Sequence, residues 1–78
     1  MAKTLRELRE AQFLTQLQVA NQLGVTISTI SNWENGKKRP MMRKIPDLAR
    51  IYKVTPGEIS QAIERALTDF GNMNAEEE

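Results

Sequence analysis

From Thr15 to Gly36 the chain spells two short helical patterns with one glycine between them, and that spacing leaves little choice in how the segment folds. Thr15 can cap a helix, and Val19, Ala20 and Leu23 follow at i, i+1 and i+4, which places them on one face. Gly24 then suits the position just past the helix, where a left-handed backbone is easy only for glycine. Thr26 can cap a second helix whose inner side is Ile30 and Trp33, three residues apart. The rest of that helix surface, Ile27, Ser28, Thr29, Ser31 and Asn32, is mostly short polar groups. Asn35-Gly36 supplies turn chemistry. Lys37, Lys38, Arg39, Arg43 and Lys44 then crowd into the next stretch. Small hydrogen-bonding side chains on an exposed helix, beside a basic loop, suit the major groove of double-stranded DNA.

The string is specific enough to resemble a family. Gln16, Ala20 and Gly24 at four-residue steps, with Val25, Ile30 and Trp33 behind them, resemble the helix-turn-helix of lambda-repressor-like (Cro/repressor, XRE) proteins. The continuation Trp33-Glu34-Asn35-Gly36-Lys37-Lys38-Arg39-Pro40 is similar to that family's run of an apolar residue, Glu, a glycine turn, basic residues and Pro. The resemblance covers residues 5–59. It implies an all-α, compact five-helix domain whose second and third helices form the helix-turn-helix. A short continuation of the fifth helix over 60–68 and an acidic flexible tail over 69–78 complete the expected organisation.

Composition narrows the function. Seventy-eight residues suit one domain, near the lower limit at which an ordinary core holds a fold. With no cysteine and no histidine, disulfides, thiolate metal sites and the commonest general base are excluded. No glycine-rich phosphate loop appears and no run is long enough to span a membrane, so neither cofactor, metal nor enzymatic activity is expected. Met1-Ala2-Lys3-Thr4-Leu5-Arg6 lacks the apolar core of a signal peptide, which reads as cytoplasmic. The net charge of +1 hides an asymmetry: residues 1–68 hold eleven Lys or Arg against six Asp or Glu, whereas residues 69–78 hold four acids and no base.

Elsewhere, Thr4-Leu5-Arg6-Glu7 is a capping box that opens a helix over about 5–12. Phe13 stands where the resembled family more often has glycine; either its backbone is left-handed and strained, or the turn differs. A fourth helix is expected over about 43–52, with Ile45, Leu48, Ala49 and Tyr52 inward. Pro46 is tolerable there if the helix begins near Ile45. Thr55-Pro56-Gly57-Glu58 is another start signal, and Ile59, Ile63 and Leu67 carry a fifth helix to about Thr68.

The resemblance assigns roles residue by residue. Gln16 opens the second helix and is expected to contact a phosphate. Ile27, Ser28 and Asn32 fall at base-reading positions: Asn32 suits adenine, Ser28 several bases, and Ile27 either touches a thymine methyl or packs beside Ile30. Thr26, Thr29 and Ser31 meet phosphates or cap the helix. Lys37, Lys38 and Arg39 should contact phosphates, with Arg9 and Arg43 in support. Trp33 is read as core, Glu34 as a local salt bridge or cap facing the basic loop, and Leu17 as an ordinary exposed leucine.

Assembly follows from area. A domain this small needs only part of the fifth helix to cover its core. Ile63, Ala66, Leu67 and Phe70 are therefore expected to stay partly exposed and to form the seam of a homodimer, unless Phe70 folds back onto the first helix. The resemblance implies a transcriptional regulator of prokaryotic or phage type, a repressor in the first instance; from the length of the chain, no separate effector or catalytic domain is expected. The alternative is an antitoxin or adaptor whose main role is binding a protein partner.

Overall fold

Threonine marks the start of four of the five helices. In the computed structural model the backbone is described for residues 3–77 and side chains for residues 3–71. The helices are α1 (Leu5–Ala11), α2 (Gln16–Leu23), α3 (Ile27–Glu34), α4 (Ile45–Tyr52) and α5 (Pro56–Glu77), with a 3-10 turn at Met42–Lys44 and no strand among the described residues. Thr4, Thr15 and Thr55 each accept the backbone N–H three residues on. Each also donates its own N–H to the side chain there, Glu7, Gln18 and Glu58 respectively, completing three capping boxes. Thr26 caps α3 through the Thr29 N–H at 3.2 Å. α4 has no side-chain cap; the 3-10 turn leads into it and Pro46 sits in its first turn, where a missing N–H does no harm. This helix therefore begins at Ile45 rather than Arg43.

The first four helices share one kind of ending. A residue in the left-handed region is followed by one whose N–H reaches the carbonyl five residues back. The left-handed positions are Phe13, Gly24, Gly36 and Lys53, with φ of 57°, 71°, 75° and 58°. The bonds that follow are Leu14 to Arg9 (3.3 Å), Val25 to Ala20 (3.0 Å), Lys37 to Asn32 (2.9 Å) and Val54 to Ala49 (3.0 Å). In three of the four the closing residue is apolar: Leu14, Val25 and Val54 are half-buried against the core. Phe13 thus takes the strained alternative and is 93 % exposed.

The core is drawn from every helix: Leu5 and Leu8, Val19, Ala20 and Leu23, Ile30 and Trp33, Leu48, Ala49 and Tyr52, Ile59, Ala62 and Ile63. Trp33 is buried, as its spacing predicts. Two expectations about α5 are corrected. Its helix does not stop near Thr68 but runs to Glu77, because no proline follows Pro56 and one glycine, Gly71, weakens a helix without ending it. Glu78, the last residue of the expected tail, lies outside the described residues. Ile63 and Ala66 are also not exposed, at 2 % and 8 %. Ile63 completes the core, and the Ala66 carbonyl lies against Gly36. Only Leu67 and Phe70 of the expected seam remain half-exposed, and Phe70 sits beside Gly36.

Candidate nucleic-acid interface

Burial of Ile30 and Trp33 fixes which side of α3 faces outward. Ser28 is exposed, Ile27 is 46 % exposed, and Thr29, Ser31 and Asn32 are half-exposed. Ile27 therefore does not join Ile30 in the core. Part of the polar face is engaged internally. Thr29 shares a hydroxyl hydrogen bond with Thr26 (2.9 Å), and Ser31 Oγ accepts from the Asn35 amide at 3.2 Å. The side chains of Ile27, Ser28 and Asn32 have no such tie among the described residues. The three expected base readers are thus left free to meet a ligand.

The basic loop is anchored to the end of this helix. The Lys37 and Lys38 N–H groups both reach the Asn32 carbonyl (2.9 and 3.4 Å), and Gly36 N–H reaches Trp33 (3.3 Å). Gly36 is required twice over. Its φ is left-handed, and a Cβ there would overlap the Ala66 carbonyl of α5. The loop's first two lysines are consequently held at a fixed offset from α3. Lys37, Lys38 and Arg43 are exposed, with no ion pair among the described residues. Arg39 is also exposed but forks onto Glu64 of α5 at 2.7 and 3.1 Å. Lys44 turns the other way and donates to the Leu23 carbonyl (3.1 Å), closing the C-terminal end of α2.

Arg9 is the clearest departure from expectation. Its side chain is only 11 % exposed; Nε and Nη2 hold both Glu34 oxygens at 2.7 and 3.2 Å, and Nη1 donates to the Leu14 carbonyl at 2.8 Å. It is a structural clamp between α1 and α3, not a free phosphate ligand. The Glu34 hydrogen bond raises the Arg9 pKa, keeping the guanidinium charged. Glu34 thus forms its salt bridge with Arg9 of α1 and not with the basic loop. It also accepts from Gln16 Nε2 at 3.0 Å, so the Gln16 side chain is oriented by the same carboxylate. Gln16 and Leu17 are the first residues of α2, where backbone N–H groups have no carbonyl behind them and suit an anion.

Beside this network a cleft of about 500 Å³ opens between the starts of α2 and α3, with Leu17 and Ile27 among its lining residues. The Arg9–Glu34–Gln16 network has no local signature, because its members lie 25 and 18 residues apart. Lys44 as a helix cap was likewise hidden inside a run of charges. Among the described residues no group of acidic side chains is arranged to hold a metal ion. No described helix is long and apolar enough to cross a membrane.

Comparison with known proteins points to the same kind of domain. The HTH-type transcriptional activator BcrR of Enterococcus faecalis is 40 % identical over 55 residues, 70 % of this chain and 27 % of that protein. The uncharacterized HTH-type transcriptional regulator YobD of Bacillus subtilis (strain 168) is 39 % identical over 51 residues, 65 % of this chain and 46 % of that protein. The chain thus spans about a quarter and about half the length of these two relatives. No solved structure matches. The family described as helix-turn-helix matches residues 5–59, from the first residue of α1 into the first turn of α5, and the chain belongs to that family.

Proposed function

We propose that this protein is a sequence-specific, DNA-binding transcriptional regulator that reads the major groove with α3. The observation that carries the reading is the coupling of two surfaces. An outward face with Ile27, Ser28 and Asn32 untied ends in a turn that fixes Lys37 and Lys38 beside it. Ser28 and Asn32 supply hydrogen bonds to base edges, and Lys37, Lys38, Arg39 and Arg43 meet phosphates on the flanking strand. The start of α2, with Gln16 held by Glu34, meets a phosphate on the other side. Thr26, Thr29 and Ser31 support the helix and its backbone contacts.

One helix reads only a few base pairs. Binding as a homodimer places two copies of α3 on half-sites about one DNA turn, ~34 Å, apart. Leu67 and Phe70 are the half-exposed apolar groups of α5 available to such a contact. Occupying promoter DNA is sufficient for repression, whereas activation needs a further contact with the transcription machinery; we therefore assign repression.

Salt titration of duplex binding tests the reading. With several phosphates neutralised per subunit, the log–log slope is expected to be of order −4 or steeper for a dimer. Lys38→Ala should weaken specific and non-specific sites equally and flatten the slope by about one per subunit. A slope near zero would rule out the assignment. Asn32→Ala should instead relax the preference at one base pair in sites selected from random DNA, at about 1–3 kcal/mol per half-site.

A further inference from the structure

We infer that Leu17 and Ile27 together form a receptor for a pyrimidine C5-methyl group, thymine in unmodified DNA, and that Leu17 is a specificity-determining residue. This rests on the DNA-binding reading above. Leu17 lies in the first turn of α2 and Ile27 in the first turn of α3, and both line the cleft of about 500 Å³. They are 54 % and 46 % exposed, two of the five large apolar side chains left open among the described residues.

The buried charges behind them are already satisfied: Arg9 and Glu34, on the other side of the cleft, have side chains 11 % and 5 % exposed and hold one another. Arg6 also lines the cleft, exposed and paired with Glu10 at 3.4 Å. Gln16, also in the lining, spends an amide hydrogen on Glu34. The same network makes the cleft rigid, since Glu34 ties α3 to α1 through Arg9 and to the start of α2 through Gln16. Two exposed apolar side chains, Leu17 and Ile27, on one cleft beside a reading helix match the one apolar feature that the major groove presents, the thymine methyl. Leu17 is therefore more than an ordinary exposed leucine.

The test uses the full chain and its preferred duplex from random-sequence selection. Each thymine is replaced by uracil, which removes the methyl and leaves the hydrogen-bonding edge intact. Affinities are measured for wild type, Leu17→Ala, Ile27→Ala and Leu17→Met. One thymine per half-site should show about a fourfold loss on conversion to uracil with wild type, the burial of one methyl. That loss should shrink below about twofold in Leu17→Ala and Ile27→Ala and return in Leu17→Met. Where selection also admits cytosine at that position, 5-methylcytosine should bind better than cytosine by a similar factor, showing that the methyl and not the thymine edge is read.

Circular dichroism should show all variants folded, because neither side chain is in the core. If every uracil penalty persists in Leu17→Ala, or if Leu17→Ala weakens all sequences alike, the cleft does not read a methyl. That outcome leaves the salt-dependent binding standing and overturns only this inference. A wild type with no duplex affinity would remove both.

Discussion

Replacing Gly36 with alanine, and Gly24 with alanine as its control, separates backbone conformation from close approach. The two glycines have nearly the same φ, 75° and 71°. A Cβ on Gly24 meets nothing within 4 Å, so its substitution carries only the left-handed penalty of about 1–2 kcal/mol. A Cβ on Gly36 would overlap the Ala66 carbonyl oxygen, with the Ala66 carbon at 2.6 Å and Phe70 Cβ at 3.0 Å. That carbonyl is helix backbone and cannot rotate aside. α5 has to move away from the end of α3, which loosens the burial of Ala66 and Ile63. Overpacking of this kind adds about 1–3 kcal/mol. The total for Gly36→Ala is then about 2–5 kcal/mol, a large share of the roughly 4–12 kcal/mol expected for a domain of this length. Thermal unfolding followed through Trp33, the only tryptophan, should show the Gly36→Ala midpoint lowered by roughly 12–30 °C and that of Gly24→Ala by roughly 6–12 °C. Equal depressions would refute the close-approach argument, whatever their size.

Three further outcomes follow from the same contacts. Glu34→Ala strands Arg9 as a buried, unpaired guanidinium and should destabilise the domain by about 3–5 kcal/mol in urea unfolding; a loss under about 1 kcal/mol would mean the pair contributes little. Phe13→Gly relieves the left-handed strain at a fully accessible position and should raise stability by about 1 kcal/mol, as should Lys53→Gly; no gain at either site would contradict the strain assigned there. Burial, and secondarily the Glu34 carboxylate, pushes the Tyr52 phenol well above its ordinary 10.0, against a lowering by Arg9. The folded state therefore keeps a proton that the unfolded chain releases. Stability is intact below pH 10 and falls as pH rises beyond it, by about 1.4 kcal/mol at pH 11 relative to Tyr52→Phe. Tyr52 is the sole tyrosine, so tyrosinate absorbance reports its ionisation directly, and an ordinary titration midpoint would contradict the burial argument.

Helix starts were legible in the sequence because threonine with Glu three residues on is a local signal, as at Thr4 and Thr55. Ends were legible where the left-handed residue was glycine, at Gly24 and Gly36, and obscure at Lys53, where the side chain gives no warning. The apolar residue that closes the turn, Leu14, Val25 or Val54, is the better signal. The outward face of α3 could be read because Ile30 and Trp33 define its inner side by periodicity. Arg9 was misassigned for the opposite reason. Whether an arginine faces solvent or a buried carboxylate depends on a partner 25 residues away, which no local pattern encodes. Ala66 departs from expectation because the glycine turn lies across it, and Ile63 because the core of all five helices closes over it; both are contacts between distant segments.

The brevity of the first four helices has a consequence for how binding and folding are linked. They contain seven or eight residues each, well below the roughly 12–15 at which an isolated helix begins to persist in water. None of them, α3 included, outlives the packed domain. Amide hydrogens along α3 should therefore exchange only through global opening, at the same free energy as those of α4, and the chain should melt in one cooperative step. Any ligand gripped by α3 then adds its binding free energy to the whole domain rather than to one helix. A conservative core change at Leu48, remote from the interface, should erode occupancy only as far as it populates the unfolded chain, leaving the affinity of each folded molecule unchanged.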